Sequence, residues 1–199
     1  MTDSTTNQGL KSAFSRRAFM RGSGAVAATA ALQTQQVAAE DKSSEIVSGQ
    51  KTITLNVNRK DYSLRIEPRD TLLDVLRYKL DLTGAKPVSS DGSSGASTVM
   101  IDGKPKTAST TFAIACVGKR IVTAEGLDDK KVPEAFVKYD AQQCGFCTPG
   151  FVVALHAFLN KYPHATEDQI RQGLNGNICR CGTYANVIQA AVSVVKGGK

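Results

Sequence analysis

Four cysteines near the C-terminal end constrain this chain more than any other feature. They form two close pairs, Cys144-Gly-Phe-Cys147 and Cys179-Arg-Cys181, a C-x2-C and a C-x-C separated by 31 residues. Thiolates gathered two by two are the donor set of an iron-sulfur cluster or of a soft tetrahedral metal ion. A zinc knuckle usually needs two or more residues between its cysteines so that both sulfurs turn onto one ion, and C-x-C leaves little room for that turn. A dinuclear cluster asks less of the pair, because two sulfurs need hold only one iron of a larger object. The spacing therefore puts iron-sulfur binding first, with disulfide bonds, open to an exported chain, and zinc as the alternatives.

Export is read from the other end. Ser15-Arg16-Arg17-Ala18-Phe19-Met20 precedes a short, weakly apolar run over 22–32 and the small residues Val37-Ala38-Ala39. A basic region, an apolar region and small residues at the cut make a signal peptide over 1–39, and paired arginines followed by Phe indicate the twin-arginine route to the periplasm. The apolar run is too short to span a bilayer, and no membrane-spanning segment is expected. The formal charge of +7 is inflated by this segment: residues 1–39 carry four of the 25 Lys and Arg and one of the 18 Asp and Glu, leaving 21 basic against 17 acidic residues. Such a balance does not call for nucleic acid.

Residues 40–50 are polar and read as a flexible lead-in. From 52 to 57 the chain alternates apolar and polar, turns over 58–61, and alternates again over 62–66, the pattern of a β-hairpin. Asp70 is the expected N-cap of an amphipathic helix over 71–80, with Leu72, Val75, Leu76 and Leu80 on one face. Strands are expected over 98–101, ending at the Asp102-Gly103 turn, and over 111–116 and 120–123. Cys116, on the apolar stretch 111–116, reads as a small buried core residue.

Beyond a charged linker at 128–131 the periodicity becomes helical. Helices are expected over 132–139, over 150–161 behind Pro149, over a segment capped by Thr166 with Asp168 and Gln169, and over 184–196, with Val187, Ile188, Ala191 and Val194 inward. The fold class is α+β: a first domain over 51–127 and a helical domain over 132–196.

Gln143-Cys-Gly-Phe-Cys-Thr-Pro-Gly150, an apolar helix, and then Gly176-Asn-Ile-Cys-Arg-Cys-Gly-Thr-Tyr184 resemble the iron-sulfur small subunit of the molybdenum hydroxylases, the xanthine oxidase and aldehyde oxidoreductase family. The resemblance covers 50–196 and is nearest to the periplasmic aldehyde oxidoreductase and isoquinoline 1-oxidoreductase small subunits. It implies a β-grasp ferredoxin-like domain followed by a four-helix domain whose Cys144, Cys147, Cys179 and Cys181 bind a 2Fe-2S cluster. It also implies that Gln143 hydrogen-bonds the molybdopterin cofactor held by a large catalytic subunit. Arg180 is expected to make a charge-assisted contact nearby; His156 and His164 are read as bystanders.

The resemblance further implies a second 2Fe-2S cluster in the β-grasp domain, on a C-x4-C-x2-C loop with a fourth cysteine beyond. Here Ser89, Ser94, Ser97 and Ser109 stand in those places. A hydroxyl must lose a proton of far higher pKa than a thiol, and it offers iron a hard oxygen. The first domain is therefore expected to fold without a cluster, and its Ser- and Gly-rich loop to be mobile.

The implied function is electron transfer in an exported enzyme oxidising an aldehyde or an N-heterocycle. Electrons would pass from the molybdenum-pterin through one cluster to an external acceptor, or to an FAD or cytochrome c redox subunit, with no activity in this chain alone. A non-redox scaffold whose four cysteines hold zinc or disulfides is the alternative.

Overall fold

The computed structural model describes residues 47–197; the signal peptide expected over 1–39 and most of the lead-in lie outside them. The chain enters strand β1 (Lys51–Val57), whose Ile53, Leu55 and Val57 point inward at every second position, and returns antiparallel as β2 (Lys60–Ile66). The turn is tighter than the sequence suggests: only Asn58 and Arg59 stand outside the strands, both left-handed at φ of 51° and 67°. That is the backbone a two-residue hairpin loop demands, because it matches the strand twist. Arg59 pairs with Asp128, and Asn58 reaches across the sheet, where its Oδ1 accepts from the Thr123 N–H at 2.9 Å and its Nδ2 donates to Thr123 Oγ1 at 3.0 Å.

Three further strands, β3 (Thr98–Ile101), β4 (Lys104–Thr107) and β5 (Arg120–Val122), complete one mixed sheet in the order β2-β1-β5-β3-β4, in which only β1 and β5 run parallel. The helix α1 (Leu72–Asp74) continues as a wider π-helical turn over Val75–Lys79 and lays Leu72, Leu73, Val75 and Leu76 on the core.

Two expectations for this half are corrected. The cap of α1 is Thr71, whose hydroxyl accepts from the Asp74 N–H at 3.1 Å. Asp70 instead accepts from the Glu67 N–H at 3.1 Å and pairs with Lys79 at 3.1 Å. The stretch 111–116 is not a strand. Thr111 and Phe112 are drawn to the start of α1, where the Leu72 N–H donates to the Thr111 carbonyl at 2.7 Å and the Ala113 N–H to the Asp70 carbonyl at 2.9 Å, and Ala113–Cys116 closes as a 3-10 turn. Cys116 is fully buried in the core, and burial pushes its thiol pKa up.

The second half is helical: α2 (Lys131–Lys138), α3 (Thr148–Lys161), α4 (Glu167–Gly173) and α5 (Tyr184–Gly197). Pro149 sits in the first turn of α3, where no N–H is needed. Thr166 and Gln169 form a full capping box on α4. Phe136, Phe151, Leu155, Ile170, Val187 and Ile188 form the centre of a second hydrophobic cluster, separate from the one under the sheet.

Ile121 holds the sheet together, being fully buried and opposite Val57 on one side and Ile101 on the other. Ile121→Ala is expected to cost about 2–5 kcal/mol, read as a lowered thermal unfolding midpoint.

Candidate metal centre

The two cysteine pairs sit on loops that the helices bring face to face. Before the first pair, α2 ends at Tyr139, Asp140 turns left-handed at φ 50°, and the Asn186 side chain of α5 donates to the carbonyls of Tyr139 and Asp140 at 3.0 and 3.1 Å. Gly145, between Cys144 and Cys147, adopts φ 81°, a left-handed conformation that glycine reaches at no steric cost. Cys147 is the N-cap of α3.

The second pair lies between α4 and α5. Gly182 adopts φ 82° directly after Cys181 and lets the chain enter α5. The Cys179 N–H donates to the Tyr184 hydroxyl at 2.7 Å, and the Cys179 sulfur lies 3.2 Å from the Thr183 hydroxyl. Tyr184 packs edge-on against Phe151 of α3, with ring centroids 6.1 Å apart.

Across the gap the thiols associate two by two: Cys147 with Cys179, and Cys144 with Cys181. The first pair faces inward, Cys179 being buried and Cys147 half-buried; the second is exposed. Within each pair one sulfur ionises more readily than the other. Burial opposes ionisation of Cys179, but hydrogen bonds from the Thr183 hydroxyl and N–H, from Cys147 and from the Gly182 N–H override it and bring its pKa down to about 7. Burial, with the bond Cys147 donates to Cys179, pushes Cys147 up to about 12. The Phe146 N–H and the Cys181 thiol lower the pKa of Cys144. For Cys181 the Cys144 N–H favours the thiolate, yet the bond to the Cys144 sulfur and the neighbouring charges leave its pKa raised.

All five cysteines are unbridged, and among the described residues no three His, Cys, Asp or Glu side chains are gathered as ligands of a single ion. Two thiol pairs from two loops, with backbone N–H groups aimed at the sulfurs, fit the two-plus-two thiolate set of a dinuclear iron-sulfur cluster.

Gln143 and Arg180 are exposed at the rim, beside Phe146 and Ile178, which are 56% and 53% exposed. His156 bonds Asn160 at 2.9 Å on α3, and His164 is exposed, both away from the sulfurs in sequence and in hydrogen bonding. Thr183 and Tyr184, which touch Cys179, carry their signal in the Cys-Gly-Thr-Tyr run itself. The contact that the 94–95 segment makes with the residues before Cys179 carries none, because it joins residues more than 80 positions apart.

The four serines are drawn together as well. Ser89 and Ser94 share a hydrogen bond of 2.8 Å and Ser97 and Ser109 one of 3.0 Å, with the N–H groups of Ser94 and Ser109 donating to the hydroxyls of Ser89 and Ser97. The loop expected to be mobile is thus cross-linked by its own hydroxyls.

Residues 123–192 match the model of the [2Fe-2S] binding domain family. Over 199 aligned residues the chain is 36% identical to the aldehyde oxidoreductase iron-sulfur-binding subunit PaoA of Escherichia coli K12, spanning 88% of this chain and 85% of that protein. It is 39% identical over 145 residues to the nicotinate dehydrogenase small FeS subunit of Eubacterium barkeri, spanning 71% of this chain and 92% of that one. Among solved structures, quinoline 2-oxidoreductase from Pseudomonas putida 86 superposes with a TM-score of 0.71 at 33% identity, over 75% of this chain and 96% of that chain. Aldehyde oxidoreductase from Desulfovibrio gigas does so with a TM-score of 0.69 at 30% identity, over 75% of this chain but 18% of that much longer one.

Cys147→Ser and Cys179→Ser are each expected to abolish the bound iron and acid-labile sulfide of the purified protein. Cys116→Ala is expected to keep both in full while lowering stability by about 1 kcal/mol, the scale of one deleted core group, as read by metal analysis beside thermal unfolding.

Proposed function

The chain belongs to the family of 2Fe-2S small subunits of the molybdenum hydroxylases, and from that premise we propose that it is exported and relays electrons through a single cluster. It is an electron-transfer iron-sulfur subunit of a molybdenum-containing oxidoreductase, and membership implies a large catalytic partner. Among the described residues no helix is long and apolar enough to cross a membrane.

The observation that carries the reading is the approach of thiols from two loops in two pairs, Cys147 to Cys179 on the inner side and Cys144 to Cys181 on the outer. In this reading Cys144, Cys147, Cys179 and Cys181 hold the cluster. A 2Fe-2S group bound there supplies one-electron storage at a potential set by charge, hydrogen bonds and exposure. The chain's own part is to orient the sulfurs, to shield Cys179 and Cys147 from water, and to aim the Thr183 hydroxyl and the Phe146 and Gly182 N–H groups at them. Gln143, at the rim, donates its amide to the molybdopterin of the large subunit. Phe146 and Ile178 are apolar surface of the kind a permanent partner covers.

The count of one cluster rests on the serines, whose hydroxyls are engaged with one another and are poor iron ligands. The separate hydrophobic clusters support dividing the chain into a β-grasp domain over 51–127 and a helical domain over 132–196. The partner oxidises an aldehyde or an N-heterocycle, and the acceptor is external or is an FAD or cytochrome c subunit. Twin-arginine export of a folded, cluster-loaded chain to the periplasm suits assembly in the cytoplasm.

Purified complex is expected to contain about two irons per copy of this chain and, after dithionite reduction, one 2Fe-2S paramagnetic signal; about four irons and two signals would overturn the single-cluster count. Replacing Arg16 and Arg17 together by lysine is expected to leave the protein in the cytoplasmic fraction, whereas undiminished periplasmic accumulation would refute the export route.

A further inference from the structure

The serine loop does more than close on itself. Its residues 94–96 lie between the two segments that present the cysteines. On one side, the Ile178 N–H donates to the Ser94 carbonyl at 3.0 Å, and the buried Asn177 side chain donates through Nδ2 to the Gly95 carbonyl at 3.0 Å. Ile178 is the residue directly before Cys179. On the other side, Gly150, in the first turn of the helix that Cys147 caps, meets the same Gly95 carbonyl so closely that a Cβ on Gly150 would collide with it. Gly95 itself is left-handed at φ 67°, and a Cβ on it would collide with the Gly176 carbonyl. Backbone thus touches backbone on both faces, so neither segment can shift without the other.

The position of these carbonyls is in turn set by the serines. Ser94 is held by the hydroxyl bond to Ser89 and by its own N–H donating to Ser89 Oγ at 3.1 Å, and its Oγ accepts from the Ala96 N–H at 3.3 Å. The Gly95 carbonyl also accepts from Thr98 Oγ1 at 2.6 Å. Ser97, 2% exposed, is tied to Ser109, and its carbonyl accepts from the Ala108 N–H at 3.0 Å. Two hydrogen bonds therefore separate the Ser89 hydroxyl from the peptide that leads into Cys179.

We propose that the hydrogen-bonded serine loop, through the Ser94 and Gly95 carbonyls and Asn177, is the positioning element of the Cys179–Cys181 ligand loop. This rests on the reading that the four cysteines hold a 2Fe-2S cluster. Ser89, Ser94 and Asn177 are positioning residues: they touch no ligand sulfur and act by holding the peptide before Cys179 against the first turn after Cys147. The potential and magnetic anisotropy of such a cluster respond to sulfur orientation and to the N–H groups around it. The lineshape of the reduced cluster should therefore report a disturbance made in the other half of the chain.

The test uses the purified native complex and its Ser89→Ala, Ser94→Ala and Asn177→Ala variants, with Ser94→Thr as the conservative replacement. Ser93→Ala, whose exposed hydroxyl bonds only Asp91 of its own turn, is the control. Iron per chain, the paramagnetic g-values of the reduced cluster and its midpoint potential are measured, with thermal unfolding recorded beside them. The expected result is a shift in g-values and midpoint potential in all three alanine variants at preserved secondary structure. Native values are expected in Ser93→Ala, and partial or full return towards them in Ser94→Thr. Ser89→Ala, which leaves the Asn177 contact intact, keeps the test open if Asn177→Ala does not fold. Native g-values and potential in every folded alanine variant would overturn the proposal. So would loss of iron with an unshifted signal from the remaining clusters, which marks a stability effect alone. Absence of a 2Fe-2S signal from the native complex would instead overturn the reading on which the proposal rests.

Discussion

Two loops 31 residues apart in sequence can share a site only if the chain between them leaves and comes back. That return is the constraint on which the helical half depends. The 14-residue helix α3 begins at the Cys147 cap and carries the chain about 21 Å away, at 1.5 Å per residue. The reversal is made by the capping box at Thr166 and the short α4, and its closeness depends on Gly173, where a Cβ would strike the Phe158 ring. Phe151, one turn into α3, then lies under Tyr184, and the Tyr184 hydroxyl receives the Cys179 N–H. The packing that buries the helices and the geometry that orients the inner thiols are the same contacts.

The outer pair has a different environment. Cys144 and Cys181 reach the surface on turns made by Gly145 and Gly182, each left-handed with open space where a side chain would be. These two glycines are needed for backbone conformation alone. At Gly150 the requirement is space, because another main chain occupies the volume, and Gly95, left-handed and crowded by the Gly176 carbonyl, has both requirements. The site is thus built from rigid burial on one side and conformational freedom on the other. An electron carrier needs both: an inner face dry enough to limit solvent reorganisation and an outer face close to its partner.

What could be read from the sequence follows from how local each determinant is. The β1–β2 alternation, the Asp102-Gly103 turn and the Thr166 capping box are each written within a few residues, and each has its counterpart in the structure. The failures are tertiary. Residues 111–116 are apolar enough for a strand, but their backbone groups are claimed by the start of α1, so the hydrogen bonds that would make a sheet are already spent. Asp70 and Thr71 are both competent caps by type; a nearby lysine, Lys79, occupies the carboxylate and leaves the role to the hydroxyl. The serine loop had the composition of a mobile segment, and composition cannot register that its hydroxyls meet in pairs.

Those pairs bear on why a loop without thiols keeps a defined shape. Fixing one residue's backbone costs about 1–2 kcal/mol, and a hydrogen bond returns about 0.5–1.5 kcal/mol, so hydroxyl pairs alone do not hold a ten-residue loop. The rest must come from what the loop leans on. Its carbonyls at 94 and 95 receive donors from the residues just before Cys179, and the helix that follows Cys147 packs against it. The dependence runs in both directions, because Asn177 is buried and its amide would lose a partner if the loop withdrew. A loop with serines at 89, 94, 97 and 109 is therefore constrained in shape by the cysteine-bearing segments next to it, and the serine pairs supply the local part of that constraint.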